Sequence, residues 1–113
     1  MQIVTKVIVA FAFISSTAFA SGSINKDTID AVAFNTGGFF LYANGWGNPN
    51  NCTQSGAIVL QTSDTNYDKA YALLLAAYAS GKKVSGYSDR CVTFDGQTYN
   101  MIRGFKYLMV SDK

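Results

Sequence analysis

The sequence predicts a small, mainly β domain with a single helix and one disulfide, and three observations carry that expectation. Short runs of β-branched and aromatic residues alternate with Gly, Asn and Asp turn formers. One segment alone, residues 65–81, repeats its apolar residues with a helical period, and the only two cysteines, Cys52 and Cys91, lie on either side of it. With 113 residues, 49% of them hydrophobic, the chain fits one globular domain and is too apolar for a disordered tail.

The first element is a leader. Lys6 closes a short basic start, residues 7–14 form an apolar run, and Ala18-Phe19-Ala20 has the small-x-small pattern of a cleavage site. Eight apolar residues are too few to cross about 30 Å of hydrocarbon, which takes about 20 residues in a helix, so an anchor or a core strand is the weaker reading. We expect residues 1–20 to be a signal peptide cut after Ala20 and residues 21–113 to be a single domain, secreted or periplasmic, with no membrane span. In an oxidising compartment Cys52 and Cys91 are most simply read as a disulfide. Closing a loop of about 40 residues stabilises by roughly 4 kcal/mol in the chain-entropy model.

Residues 27–35 set Ile29, Val32 and Phe34 among polar neighbours and stop at Thr36-Gly37-Gly38, a strand and its turn. Residues 39–43 make a second strand, residues 44–51 a loop dense in Asn and Gly, and residues 57–61 a third strand. Thr65 is placed to cap the helix, with Asp68 three residues on, close to a capping box. Tyr67, Ala70, Tyr71, Leu74, Leu75 and Tyr78 share one helical face, and Gly81 ends the helix. The opposite face carries Leu73, Ala72, Ala76, Ala77 and Ala79, and no charge falls between Ala70 and Ala79. A helix apolar all round needs cover on both sides. We expect a second copy of the chain to supply it at Leu73, Ala76 and Ala77; cover by the chain's own loops is the alternative.

Residues 83–88 read as a fourth strand running to about Cys91. Asp95-Gly96 is the turn between 92–94 and 97–99, and residues 99–110 form a last extended segment with a bulge near Gly104. Three strands, a helix and two strands is the element order of an OB-fold, a five-stranded Greek-key barrel (β-β-β-α-β-β).

At the helix and beyond, in Tyr71-Ala72-Leu73-Leu74-Leu75-Ala76-Ala77-Tyr78-Ala79-Ser80-Gly81-Lys82-Lys83-Val84 and then Cys91, the chain resembles the B subunits of secreted bacterial toxins of the subtilase-cytotoxin and pertussis-like type. It is also similar to a wider set of small exported bacterial OB-fold proteins. The resemblance spans roughly residues 52–91: a cysteine before strand three, a helix dense in Leu and Ala, Gly-Lys-x-Val and a second cysteine. It implies a homo-oligomeric ring of five subunits with the helices around a pore, recognition of cell-surface glycans, often sialylated, and delivery of a separate catalytic A chain. It assigns no sugar-contacting residue here.

Composition narrows the chemistry. There is no His, so Ser-His-Asp and Cys-His units and histidine zinc sites are excluded. Nine Lys and Arg, one of them Lys6 in the leader, against seven Asp leave too little positive charge for a phosphate-neutralising nucleic-acid binder. The carboxylates Asp27, Asp30, Asp64, Asp68, Asp89 and Asp95 sit where Asp caps helices or turns the chain; a two-Asp glycosidase remains conceivable on residue type alone. We expect no catalytic residue, no metal and no cofactor. Trp46 lies between two glycines with Asn44, Asn48 and Asn50 around it and Thr53 beyond, a set that suits a sugar: the ring stacks on C–H groups while amides bond hydroxyls. The competing place for the indole is the end of the barrel, as a plug. Tyr42, Tyr87, Tyr99 and Tyr107 are further candidates to line a sugar or protein site. The expected function is a secreted non-catalytic binding subunit that recognises cell-surface glycans. The alternative is an exported protein–protein interaction or inhibitor-like envelope module with no glycan ligand.

Overall fold

The structure, a computed structural model, describes residues 22–112. The expected signal peptide and its cleavage site lie outside the described residues. Seven strands and one helix follow in the order β1 (Gly22–Thr28), β2 (Ala31–Asn35), β3 (Gly38–Tyr42), β4 (Gln54–Gln61), α1 (Tyr67–Ser80), β5 (Lys83–Phe94), β6 (Gln97–Ile102) and β7 (Met109–Ser111). All strands belong to one sheet with the order β1-β5-β6-β4-β3-β2, and β7 adds to β5. Only β4 and β6 run parallel. The described residues are thus mainly β with one helix and a Cys52–Cys91 disulfide.

Two expected strands are each divided. The segment expected at 27–35 begins at Gly22 and breaks at Ile29 and Asp30. The break has a physical cause: β1 pairs with β5, β2 pairs with β3, and the chain must change partners between them. Ile29 turns into the core there, and the Asp30 amide donates to the Tyr42 carbonyl at 2.8 Å. The hydrogen-bonded path through the sheet therefore starts and ends on consecutive strands separated by two residues. At the other end of the chain, the expected extended segment from 99 to 110 stops at Ile102, loops through residues 103–108 and resumes as β7.

β5 runs unbroken for 12 residues, joining the strands expected at 83–88 and 92–94, and carries an extra residue between Ser88 and Cys91. Ser88 pairs with Ile102 and Cys91 with Asn100, so Asp89 and Arg90 on one strand stand against Met101 alone on the other. That bulge keeps both Ser88 and Cys91 facing inward, where strict alternation would have turned one of them out. The disulfide depends on it.

The core under the helix joins Phe39, Leu41, Ile58, Leu60, Val84 and Ile102 of the sheet to Ala70, Leu74 and Ala77 of α1. Ala70, Leu74 and Ala77 are spaced i, i+4 and i+7, one helical stripe. Ala77, expected on the second apolar face, is therefore a core residue, whereas Leu75 and Tyr78, expected inward, are about two-fifths exposed with Leu73. The helix starts one residue later than expected: Asn66 is the N-cap, and Asp64 Oδ1 accepts the Asn66 amide at 2.9 Å in place of a Thr65 cap. Gly81 ends the helix in the left-handed conformation (φ 70°), and the Lys82 amide returns to the Ala77 carbonyl at 3.1 Å.

Candidate functional site

The loop expected to hold a sugar holds the fold instead. The Trp46 indole is fully buried in the main core and its Nε1 donates to the Leu41 carbonyl at 3.0 Å, so it has no face to offer a ligand. Asn48 clasps Cys52 in both directions at 2.8 Å, taking the Cys52 amide on Oδ1 and donating Nδ2 to its carbonyl. Asn50 Nδ2 donates to Ser88 Oγ and to Asn100 Oδ1, and Asn100 Nδ2 donates to Asn48 Oδ1. Thr53 exchanges bonds with Thr98 across to β6. These groups pin the 44–53 loop over the disulfide, which joins Cα atoms 5.7 Å apart. Of the five expected sugar contacts, Asn44 and Thr53 are exposed, and the Thr53 hydroxyl is already engaged.

A more suitable site lies on the outer face of β1, β5 and β7. Pairing sets Ser23 opposite Tyr87 and Ser85 opposite Met109, and opposed residues point to the same side of the sheet. Inward-facing residues alternate with them on β5: Val84, Gly86 and Ser88 are buried. A Cβ on Gly86 would lie 2.7 Å from Ile102 Cδ1, so any larger residue there would have to displace that core side chain. The 103–108 loop then walls this face with Lys106 and Tyr107. The result is a hollow of about 490 Å³ lined by Ser23, Ser85, Tyr87, Lys106, Tyr107 and Met109 among others. The Lys106 ammonium stands 4.1 Å from the centre of the Tyr87 ring, an attractive cation–π placement that holds the charge at the wall.

The loop is fixed at its base. Arg103 donates from its amide to the Tyr87 carbonyl, and from its side chain to both oxygens of Asp89. Those side-chain bonds hold Asp89 below the usual carboxylate range, against a weaker opposing effect of burial. Asp64 Oδ2 takes the Gly104 amide at 3.0 Å, and a Cβ on Gly104 would lie 2.9 Å from both Ala70 Cβ and Asp64 Oδ1. Tyr107 sits at a left-handed φ of 55°, uncommon for a residue with a side chain.

The chain matches no family model, no curated protein and no solved structure.

The four candidate tyrosines separate into pairs. Tyr87 and Tyr107 share the hollow just described, whereas Tyr42 and Tyr99 border a smaller one of about 180 Å³ near Phe40, Phe94 and the Asn35–Asp95 hydrogen bond. The smaller hollow lacks a cation. Lys106, Ser23, Ser85 and Met109 escape sequence reasoning, because nothing local says that β1 and β7 flank β5. One signal was available: Phe105-Lys106-Tyr107 sets a cation between two aromatic residues directly after Gly104. Chemically the larger hollow offers one ammonium, two phenol rings and two hydroxyls. Such a set is suited to ring stacking, hydrogen bonding and pairing with an anion.

Proposed function

We propose that this protein is an exported, non-catalytic binding subunit that recognises glycans carrying a carboxylate at the Tyr87–Lys106–Tyr107 hollow. The observation that carries the reading is the Lys106 ammonium held against the Tyr87 ring at the wall of a hollow that also presents Tyr107 and serine hydroxyls. A pyranose ring stacks its C–H face on a tyrosine, the ammonium pairs with an acidic substituent, and hydroxyls bond to Ser23 and Ser85. The volume falls within the range of small-ligand sites, roughly 300–1,000 Å³.

In this reading the sheet closes as an OB-type barrel whose first strand is broken into β1 and β2, supported by the adjacency of the two ends of the strand path. A ring of identical subunits would cover Leu73 and Ala76 on the exposed side of α1, and a separate catalytic chain would be its cargo. A glycan array probed with the protein and with Lys106→Ala tests the function. Binding confined to acidic glycans and lost in the variant is expected; an empty array, or a variant that binds as well, overturns it. Native mass spectrometry tests the ring, which a monomer at micromolar concentration excludes.

The exposed Leu73, Leu75 and Tyr78 on one helix favour a second reading, a module that docks a different protein chain through α1 and binds no glycan. The same array separates the two.

A further inference from the structure

Among the described residues, three of the eight large hydrophobic side chains that stand exposed fall within five consecutive positions: Phe105 at 56%, Tyr107 at 77% and Met109 at 52%. Single exposed apolar residues are ordinary, but a contiguous group marks a surface that meets something. These three form a ridge. On one side Phe105 and Tyr107 border a hollow of about 260 Å³ with Leu73 of the helix; on the other, Tyr107 and Met109 border the 490 Å³ hollow on the sheet. Lys69 and Lys106 line these hollows, and no carboxylate lines either. The ridge is also preformed, since Arg103 and Gly104 anchor its start to Asp89 and Asp64.

We propose that this ridge docks on a lipid bilayer carrying anionic headgroups. Phe105, Tyr107 and Met109 enter the interfacial layer, and Lys69 and Lys106 keep their ammonium groups among the headgroup phosphates and carboxylates. Aromatic rings favour the boundary between headgroups and chains, and a lysine beside them buries its stem while its charge stays wet. A projecting ring with a cation next to it suits a fluid, negatively charged surface. It suits a second copy of the chain less well, because lysine is depleted from the cores of protein interfaces. The inference shares Lys106 and Tyr107 with the glycan reading, and vesicles without glycolipid test it separately.

The experiment is co-sedimentation of the protein with vesicles of phosphatidylcholine alone and with vesicles in which about three lipids in ten are phosphatidylserine. Binding to the second but not the first is expected. Phe105→Ser should weaken it about ten-fold, the loss expected for one buried aromatic side chain, and Lys69→Gln with Lys106→Gln should remove the preference for phosphatidylserine. Phe105→Trp supplies a reporter, since the native Trp46 is buried: its emission should shift to the blue on phosphatidylserine vesicles and not otherwise. No binding to phosphatidylserine vesicles overturns the proposal, as does binding that Phe105→Ser leaves intact. A Phe105→Trp emission already blue without vesicles also overturns it, and assigns the ridge to a contact between copies of the chain.

Discussion

Arg103 grips Asp89 with two parallel hydrogen bonds, Nε to Oδ1 and Nη2 to Oδ2, each 3.0 Å long. The pair joins the residue after β6 to the bulge in β5, so it fixes the start of the loop that carries Lys106 and Tyr107. Both side chains retain some contact with water, and such a fork contributes on the order of 1 kcal/mol.

The pair makes stability depend on acid. Asp89 titrates below its unfolded value, so its contribution is complete above the ordinary carboxylate pKa of about 4 and fades as the pH falls through the lower folded value. Melting curves of wild type and Asp89→Asn should differ at pH 7 and converge at the acid end of the range. A constant difference at every pH would show that the fork does not govern the loop.

Trp46 separates structure from recognition. Trp46→Phe removes the Nε1 bond to Leu41 and leaves unfilled space in the core, at a cost of about 1–3 kcal/mol. Glycan and vesicle binding of the folded variant should equal wild type, measured below its melting temperature. A selective loss of glycan binding would return the 44–53 loop to the site.

Asn100 is fully buried and meets both Asn48 and Asn50. Asn100→Leu leaves those partners with unmet polar groups, and urea denaturation should show a loss of about 2–4 kcal/mol. A variant as stable as wild type would mean that water takes over the bonds.

The disulfide closes a separation of 39 residues. Reduction, or Cys52→Ser with Cys91→Ser, should cost roughly 4 kcal/mol by the chain-entropy account and lower the midpoint of urea unfolding accordingly. An unchanged midpoint would place the staple's effect outside folding stability.

The helix, its glycine stop, the hairpin at Asp95-Gly96 and the cysteine pairing are legible in the sequence because each rests on local spacing or on a count of two. The inward stripe of α1 was harder. Ala77 and Leu75 are both apolar, and only the sheet beneath decides which of them is covered. Trp46 stays open between a sugar platform and a buried plug in the sequence, because Gly and Asn around an indole look alike whether the ring points out or in to Leu41; the structure buries it. The Tyr87–Lys106 site was hidden for a different reason: its parts come from β1, β5 and the loop before β7, and long-range pairing brings them together.

The pairing of β1 with β5 also sets an order of events. As the chain emerges N-terminus first from a ribosome or an export channel, β1 is among the first described segments to appear, while its partner lies beyond the helix. Ile24 and the inner edge of β1 have no place to settle until Lys83–Ser88 arrives, so the sheet cannot be completed piece by piece. Such distant pairing slows folding, since the loop must be closed before its contacts reward it. Under the export proposed above, late completion would keep the chain threadable until it has crossed the membrane, an advantage rather than a defect.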